Sequence, residues 1–169
     1  MATAKKKTAE KPALTQAEAR RQLDGFLAKY TPEIAAQGKA ALRAMRKLYP
    51  TAVELVYDNY NALAVGFSPA ERVSEVIFSI AVYPRWVNLF FLQARGLPDP
   101  NKLLQGSGSV ARHVRLDSPK RIHTPEIQML MSDAVLCART PFTADGKHRI
   151  QIKSIAAKQR PRRPSGKAK

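Results

Sequence analysis

The sequence predicts an α+β domain, with helices from both ends of the chain packed on one face of a five-stranded antiparallel sheet. Three observations carry this reading. Two capped segments near the start repeat apolar residues at helical spacing. From Val53 to Asp117 the period drops to two, with turn residues separating short runs. A third capped helical segment opens at Thr124.

Each element has a local cause. Thr15-Gln16-Ala17-Glu18 has the capping-box pattern, in which each side chain satisfies the other residue's orphan N–H. Leu23, Phe26, Leu27 and Tyr30 then share a face, predicting a first helix over Gln16 to Tyr30. Thr31-Pro32-Glu33 supplies a capping hydroxyl, a proline at the first helical position and an acid near the positive end of the dipole. The stripe Ile34, Ala41, Leu42, Met45, Leu48 makes a second helix, which Pro50 stops.

Val53, Leu55 and Tyr57 alternate with Glu54, Val56 and Asp58 as a half-buried strand does. Asp58 to Asn61 is turn-forming, and Ala62 to Phe67 returns as a second strand. After a polar connection, Glu75 to Tyr83 is the third strand, Pro84-Arg85 turns the chain, and the nearly all-apolar Trp86 to Leu92 is a central fourth. Pro100 to Leu104 is expected to form one helical turn. Arg112 to Asp117 is the fifth strand, with His113, Arg115 and Asp117 on one face. Thr124-Pro125-Glu126 starts the last helix, whose wide apolar face is Ile127, Leu130, Met131, Ala134, Val135 and Ala138. Arg149 to Ile155 alternates and allows a short added strand. The resulting division is a basic, disordered tail over 1–14, one domain over 15–140, and a basic tail over 141–169 that is mostly disordered apart from 149–155.

Composition sets the outer limits. A 169-residue chain that is 44% hydrophobic, with mean hydropathy -0.32, suits one globular domain with tails. No apolar run approaches the roughly 20 residues of a membrane span. Lysines at the start have no apolar segment behind them, which argues against a secretory signal, and one cysteine argues against disulfides; a cytoplasmic location follows. The formal charge of +16 is concentrated at the ends, with +8 on residues 145–169 and +3 on residues 1–12, leaving +5 for the middle. Basic tails either solubilise or seek polyanions.

The leading candidate site is the loop Gly106-Ser107-Gly108-Ser109, with Lys102 and Arg112 near it. Glycines let successive N–H groups converge on an anion, and the two cations add charge. The same loop also reads as a tight connection needing positive φ. It lacks the Lys-Ser/Thr ending of a nucleotide-binding P-loop. Tyr57, Asn59, Tyr60 and Asn61 sit at a turn that could close a concave site. Arg85-Trp86 with Tyr83 and Phe91 reads either as a stacking surface or as core packing. Asp99 reads as the cap of the following turn or as a ligand carboxylate. His113, His123 and His148 lack metal-ligand spacing, so neither a metal nor a cofactor is expected. Cys137, among Val135, Leu136 and Ala138, reads as a buried structural thiol. In the tail, Lys158, Arg160, Arg162 and Arg163 are the candidates for sequence-independent phosphate contact. No catalytic constellation stands out.

The run GLPDPNKLLQGSGSVARHVRL, preceded by WVNLFF and followed by a helix ending in DAVLCA, resembles the YdhG-like domain-of-unknown-function family over about residues 16–140. The paired first helices and Pro32-Glu33 fit the same pattern. The resemblance implies a frataxin-like sandwich with a curved sheet, and some relatives are discussed as iron chaperones. Iron binding in that fold implies an acidic cluster on the first helix and strand. Here those elements offer Glu18, Asp24, Glu54 and Asp58, opposed by Arg20 and Arg21. The functional expectation is a non-catalytic binding or adaptor module for a small anionic ligand at Lys102, Gly106–Ser109 and Arg112. Nucleic-acid association through the tails is the alternative, and iron delivery a third.

Overall fold

The structure is a computed structural model, and it describes residues 12–164. Residues 1–11, which hold most of the expected N-terminal tail, lie outside the described residues. Among the described residues, three helices, α1 (Gln16–Leu27), α2 (Pro32–Leu48) and α3 (Pro125–Leu136), accompany six strands. The strands are β1 (Val53–Asp58), β2 (Leu63–Ser68), β3 (Phe78–Val82), β4 (Val87–Phe91), β5 (Arg112–Arg115) and β6 (Arg149–Ile155). The sheet order is β5-β4-β3-β2-β1-β6.

The fold is α+β, but the expected five-stranded antiparallel sheet is corrected to a six-stranded mixed one. β1 to β5 form an antiparallel meander, and β6 adds parallel to the outer edge of β1. Left open, that edge would present a row of unpaired N–H and C=O groups. β6 fills it and turns Ile150 and Ile152 toward the core. Residues 141–164 are therefore not a loose tail: they carry a strand, and the segment after it is pinned to the domain.

The helices cover one face. Leu23, Phe26 and Leu27 of α1, Leu42 and Met45 of α2, and Leu130 and Met131 of α3 share one buried cluster with Val56, Val65, Phe67, Ile80, Leu89 and Val114 from the strands. The capping box at α1 closes as its spacing predicts, Glu18 N–H donating to Thr15 Oγ1 at 3.2 Å and Thr15 N–H to Glu18 Oε2 at 2.8 Å. At α3 the Thr124 hydroxyl donates instead to Arg121 O at 3.0 Å, so that helix starts on Pro125 without a side-chain cap.

Other details depart from expectation. A 3-10 turn at Val73–Glu75 precedes β3, which starts only at Phe78. Pro100 to Leu104 is not helical. Asp99 takes the N–H groups of Leu103 and Leu104 at 2.9 Å each, so one carboxylate organises the corner as the capping reading has it. Cys137 is exposed rather than buried, because the α3 stripe ends at Ala134 and the thiol turns outward at the C-cap.

Tyr30 ties the helix layer to the sheet. Its buried hydroxyl donates to Val82 O at 2.7 Å and accepts from Leu63 N–H at 3.0 Å, joining two residues that are partners across the β2–β3 ladder. Burial pushes its pKa up to about 12, so it remains a donor at any ordinary pH. Tyr30→Phe orphans a buried N–H and a buried C=O together, at a cost of about 2 kcal/mol by chemical denaturation. An unchanged midpoint would show that water replaces the hydroxyl.

Candidate ligand-binding site

The sheet face opposite the helices is built from two cross-strand rows. One runs Leu55, Gly66, Ser79, Phe90, His113; the other runs Tyr57, Ala64, Ala81, Asn88, Arg115. Both have a large side chain on β1 and small ones on β2 and β3, and the first has Phe90 on β4 where the second has Asn88. Period-two alternation puts every one of these residues on the same face, and the small centre leaves a trough of about 440 Å³. Its floor is Ala64, Gly66, Ser79 and Ala81; Tyr57 and Phe90 face each other as walls; Tyr60, Asn61 and Tyr83 close one end, and Val73, Val76 and Leu92 the other. Gly66 is needed for this shape, since a Cβ there would come within 3.0 Å of Val76 Cγ1. Val73 and Tyr60, exposed at 64% and 46%, leave apolar surface open at the two ends.

Aromatic groups continue beyond the β4 wall. The Phe90 and His113 rings lie 5.1 Å apart, Tyr83 and Trp86 5.4 Å apart, and the Arg115 guanidinium carbon sits 4.6 Å over Trp86. Trp86 is half-buried on this open face, whereas Phe91 points into the core, as the core-packing reading has it. Burial, and then the neighbouring Arg115 charge, hold His113 below its ordinary value of 6.5, leaving it neutral at pH 7. Burial likewise raises Tyr57 and Tyr83, which stay protonated as hydrogen-bond donors.

The segment after β6 builds a second concavity beside the trough. Arg162, 5% exposed, donates to Asp58 Oδ1 at 2.9 Å, to Tyr60 O at 3.1 Å and to Asn59 O. Lys29 completes the cage around Asp58 at 2.7 Å. With Arg162 pointing inward between Pro161 and Arg163, the segment is held on the β1–β2 turn and faces the β3–β4 turn. It encloses a cleft of about 590 Å³ whose lining includes Arg85, Trp86, Arg160 and Arg163. Asn61 and Tyr83 line both cavities.

The residues expected from sequence fall in different places. Gly106, Ser107, Gly108 and Ser109 are all exposed, as is Lys102, which adopts φ 52°. Arg112 Nε donates to Gly108 O at 3.0 Å, so its guanidinium is engaged by the loop's own carbonyl. Gly106 has φ 105°, the conformation the tight-connection reading requires. Lys158, Arg160 and Arg163 are exposed, but Arg162 is buried in its ion pair. Glu54 and Asp58, the first-strand acids, are 0% exposed and held by Arg46 with His148 and by Lys29 with Arg162 respectively. No cluster of three or more metal-ligating side chains occurs among the described residues, and none of their helices is long and apolar enough to cross a membrane.

The turn at Tyr57 to Asn61 was the sequence signal for the trough. The small residues of β2 and β3 gave none, because a trough exists only once register sets Ala64 beside Ala81 and Gly66 beside Ser79. No protein-family model, curated protein or solved structure matches the chain.

Proposed function

We propose that this chain is a non-catalytic binding domain whose ligand lies in the trough on the open face of the sheet. The observation that carries it is the bulky-small-small-bulky row Leu55-Gly66-Ser79-Phe90 beside the Tyr57-Ala64-Ala81 row, which leaves an apolar slot of ligand size with three tyrosines around it. Ligand sites are typically concave, mostly apolar and about 300–1,000 Å³, with a few polar groups to fix orientation. Here Asn59, Asn61 and the tyrosine hydroxyls supply those groups. Tyr57 on one side and Phe90 on the other offer aromatic surface to an apolar or aryl body. The seat of the ligand thus moves from the Gly106–Ser109 loop to the sheet, while the binding-module reading is retained. Membership of a YdhG-like, frataxin-like group is carried as part of the same proposal, on the GLPDPNKLLQGSGSVARHVRL run alone.

Nuclear magnetic resonance with 1-naphthaleneacetamide, a neutral aryl probe, tests the trough. Wild type is expected to show shifts concentrated at the amides of Ala64, Gly66, Ser79 and Ala81. Ala64→Trp fills the slot from a half-buried floor position and is expected to abolish them while leaving Tm within about 3 °C, as for a substitution outside the core. No shift in wild type, or shifts that survive Ala64→Trp, would overturn the assignment.

A further inference from the structure

We propose that the arginine-lined cleft formed by the docked C-terminal segment holds an anionic group on the same ligand, so that the site prefers aryl anions to neutral aryl compounds. This rests on the trough reading and extends it. Three observations point to it. Asn61 and Tyr83 line both cavities, so a molecule lying in the trough reaches the cleft past a shared wall. Arg85, Arg160 and Arg163 converge on that cleft, and among the described residues none of the three has a carboxylate partner. The buried Arg162 fixes the backbone carrying two of them, and Pro161 and Pro164 restrict it further, so the cations are positioned before any ligand arrives.

The division of labour within the segment is chemical. Arg162 is neutralised by Asp58 and takes the backbone carbonyls of Asn59 and Tyr60. Arg160 and Arg163 are exposed and spend their side-chain hydrogen bonds on neutral acceptors: Asn61 Oδ1 at 3.3 Å for Arg160, and the Lys29 and Ala28 carbonyls for Arg163. A guanidinium bonded only to neutral oxygens keeps its full charge for an incoming carboxylate or phosphate, which it meets in a two-pronged geometry.

The test compares 1-naphthaleneacetate with 1-naphthaleneacetamide on the full chain, by titration calorimetry at two salt concentrations. Wild type is expected to bind the carboxylate about tenfold more tightly at low salt, the yield of one charge-assisted hydrogen bond. That advantage should shrink as salt rises. In Arg85→Gln/Arg160→Gln/Arg163→Gln the carboxylate affinity should fall to that of the amide, with the amide unchanged. Arg162 stays in place, so the segment remains docked; an unaltered thermal transition checks this. Equal affinities of the two probes in wild type, or a carboxylate advantage that survives the triple substitution, would overturn the anionic half while leaving the trough standing. Binding of neither probe would overturn both.

Discussion

Replacing Arg162 by alanine is expected to destabilise the fold by about 3 kcal/mol, a fall in Tm of roughly 10 °C for a chain of this size. The guanidinium faces a carboxylate with no solvent exposure and two backbone carbonyls of the β1–β2 turn. Removing it leaves Asp58 with Lys29, whose side chain is 41% exposed and whose charge water partly screens. Asp58→Asn should cost a similar amount, because Arg162 is then the buried ion without a counter-charge. The Asp58→Asn/Arg162→Ala pair should cost clearly less than the two single effects added, since the pair removes both charges together. The same substitution reaches the site. Asn59, Tyr60 and Asn61 line the trough, and two of them are held by Arg162, so faster amide exchange there and weaker 1-naphthaleneacetamide binding are expected together. A Tm within 2 °C of wild type would show that the segment merely rests on the domain.

This latch marks where the sequence could and could not be read. Helix starts were legible because their causes are local: Thr15 with Glu18, and Thr31 with Pro32, lie within four residues of one another. The β1 to β5 meander followed from alternation and turn residues, which are also local. Arg162 with Asp58 was not legible. The two are 104 residues apart, and in a run of Arg, Pro and Lys nothing in composition separates the arginine that turns inward from its neighbours that stay in solvent. By charge alone residues 145–169 form a single patch, whereas tertiary contact divides the described arginines into the buried Arg162, Arg149 paired with Glu71, and Arg160 and Arg163 without a carboxylate partner. The trough was hidden for a related reason. Ala64, Gly66, Ser79 and Ala81 read as unremarkable strand residues, and their meaning comes only from what stands on β1 and β4 beside them. Loop glycines drew attention instead, being conspicuous in a sequence for the same backbone freedom that makes them useful in an ordinary turn.

Glu54→Gln is the second substitution with a large expected effect, and its signature is a changed response to acid. Glu54 sits on the helix-facing side of β1 with no solvent exposure. Arg46 of α2 donates to both its oxygens at 2.8–3.1 Å, and His148, just before β6, donates to Oε2 at 2.5 Å. One carboxylate therefore joins α2, β1 and the entry to β6. Neutralising it leaves the half-buried Arg46 charge unmatched, a loss of about 3 kcal/mol at pH 7. Burial pushes the Glu54 pKa up, but the His148 and Arg46 hydrogen bonds outweigh burial and hold it below 4.5. Burial also raises Asp58, and its bonds to Lys29, Gln159 and Arg162 outweigh that, holding it below 3.8. A carboxylate whose pKa is depressed in the folded state gives its full stability above its unfolded value and loses it as pH falls through the folded value. Wild-type Tm should thus slope gently below about pH 6.5, where the depressed His113 begins to cost stability, and drop increasingly steeply below pH 4.5. In Glu54→Gln, Tm should start lower and fall less steeply over the same range, the remaining slope belonging to Asp58, Glu18 and His113. Parallel Tm curves for wild type and variant from pH 6 to pH 3 would mean that Glu54 titrates alike in folded and unfolded chains, and its buried ion pairs would then contribute nothing to the acid limb.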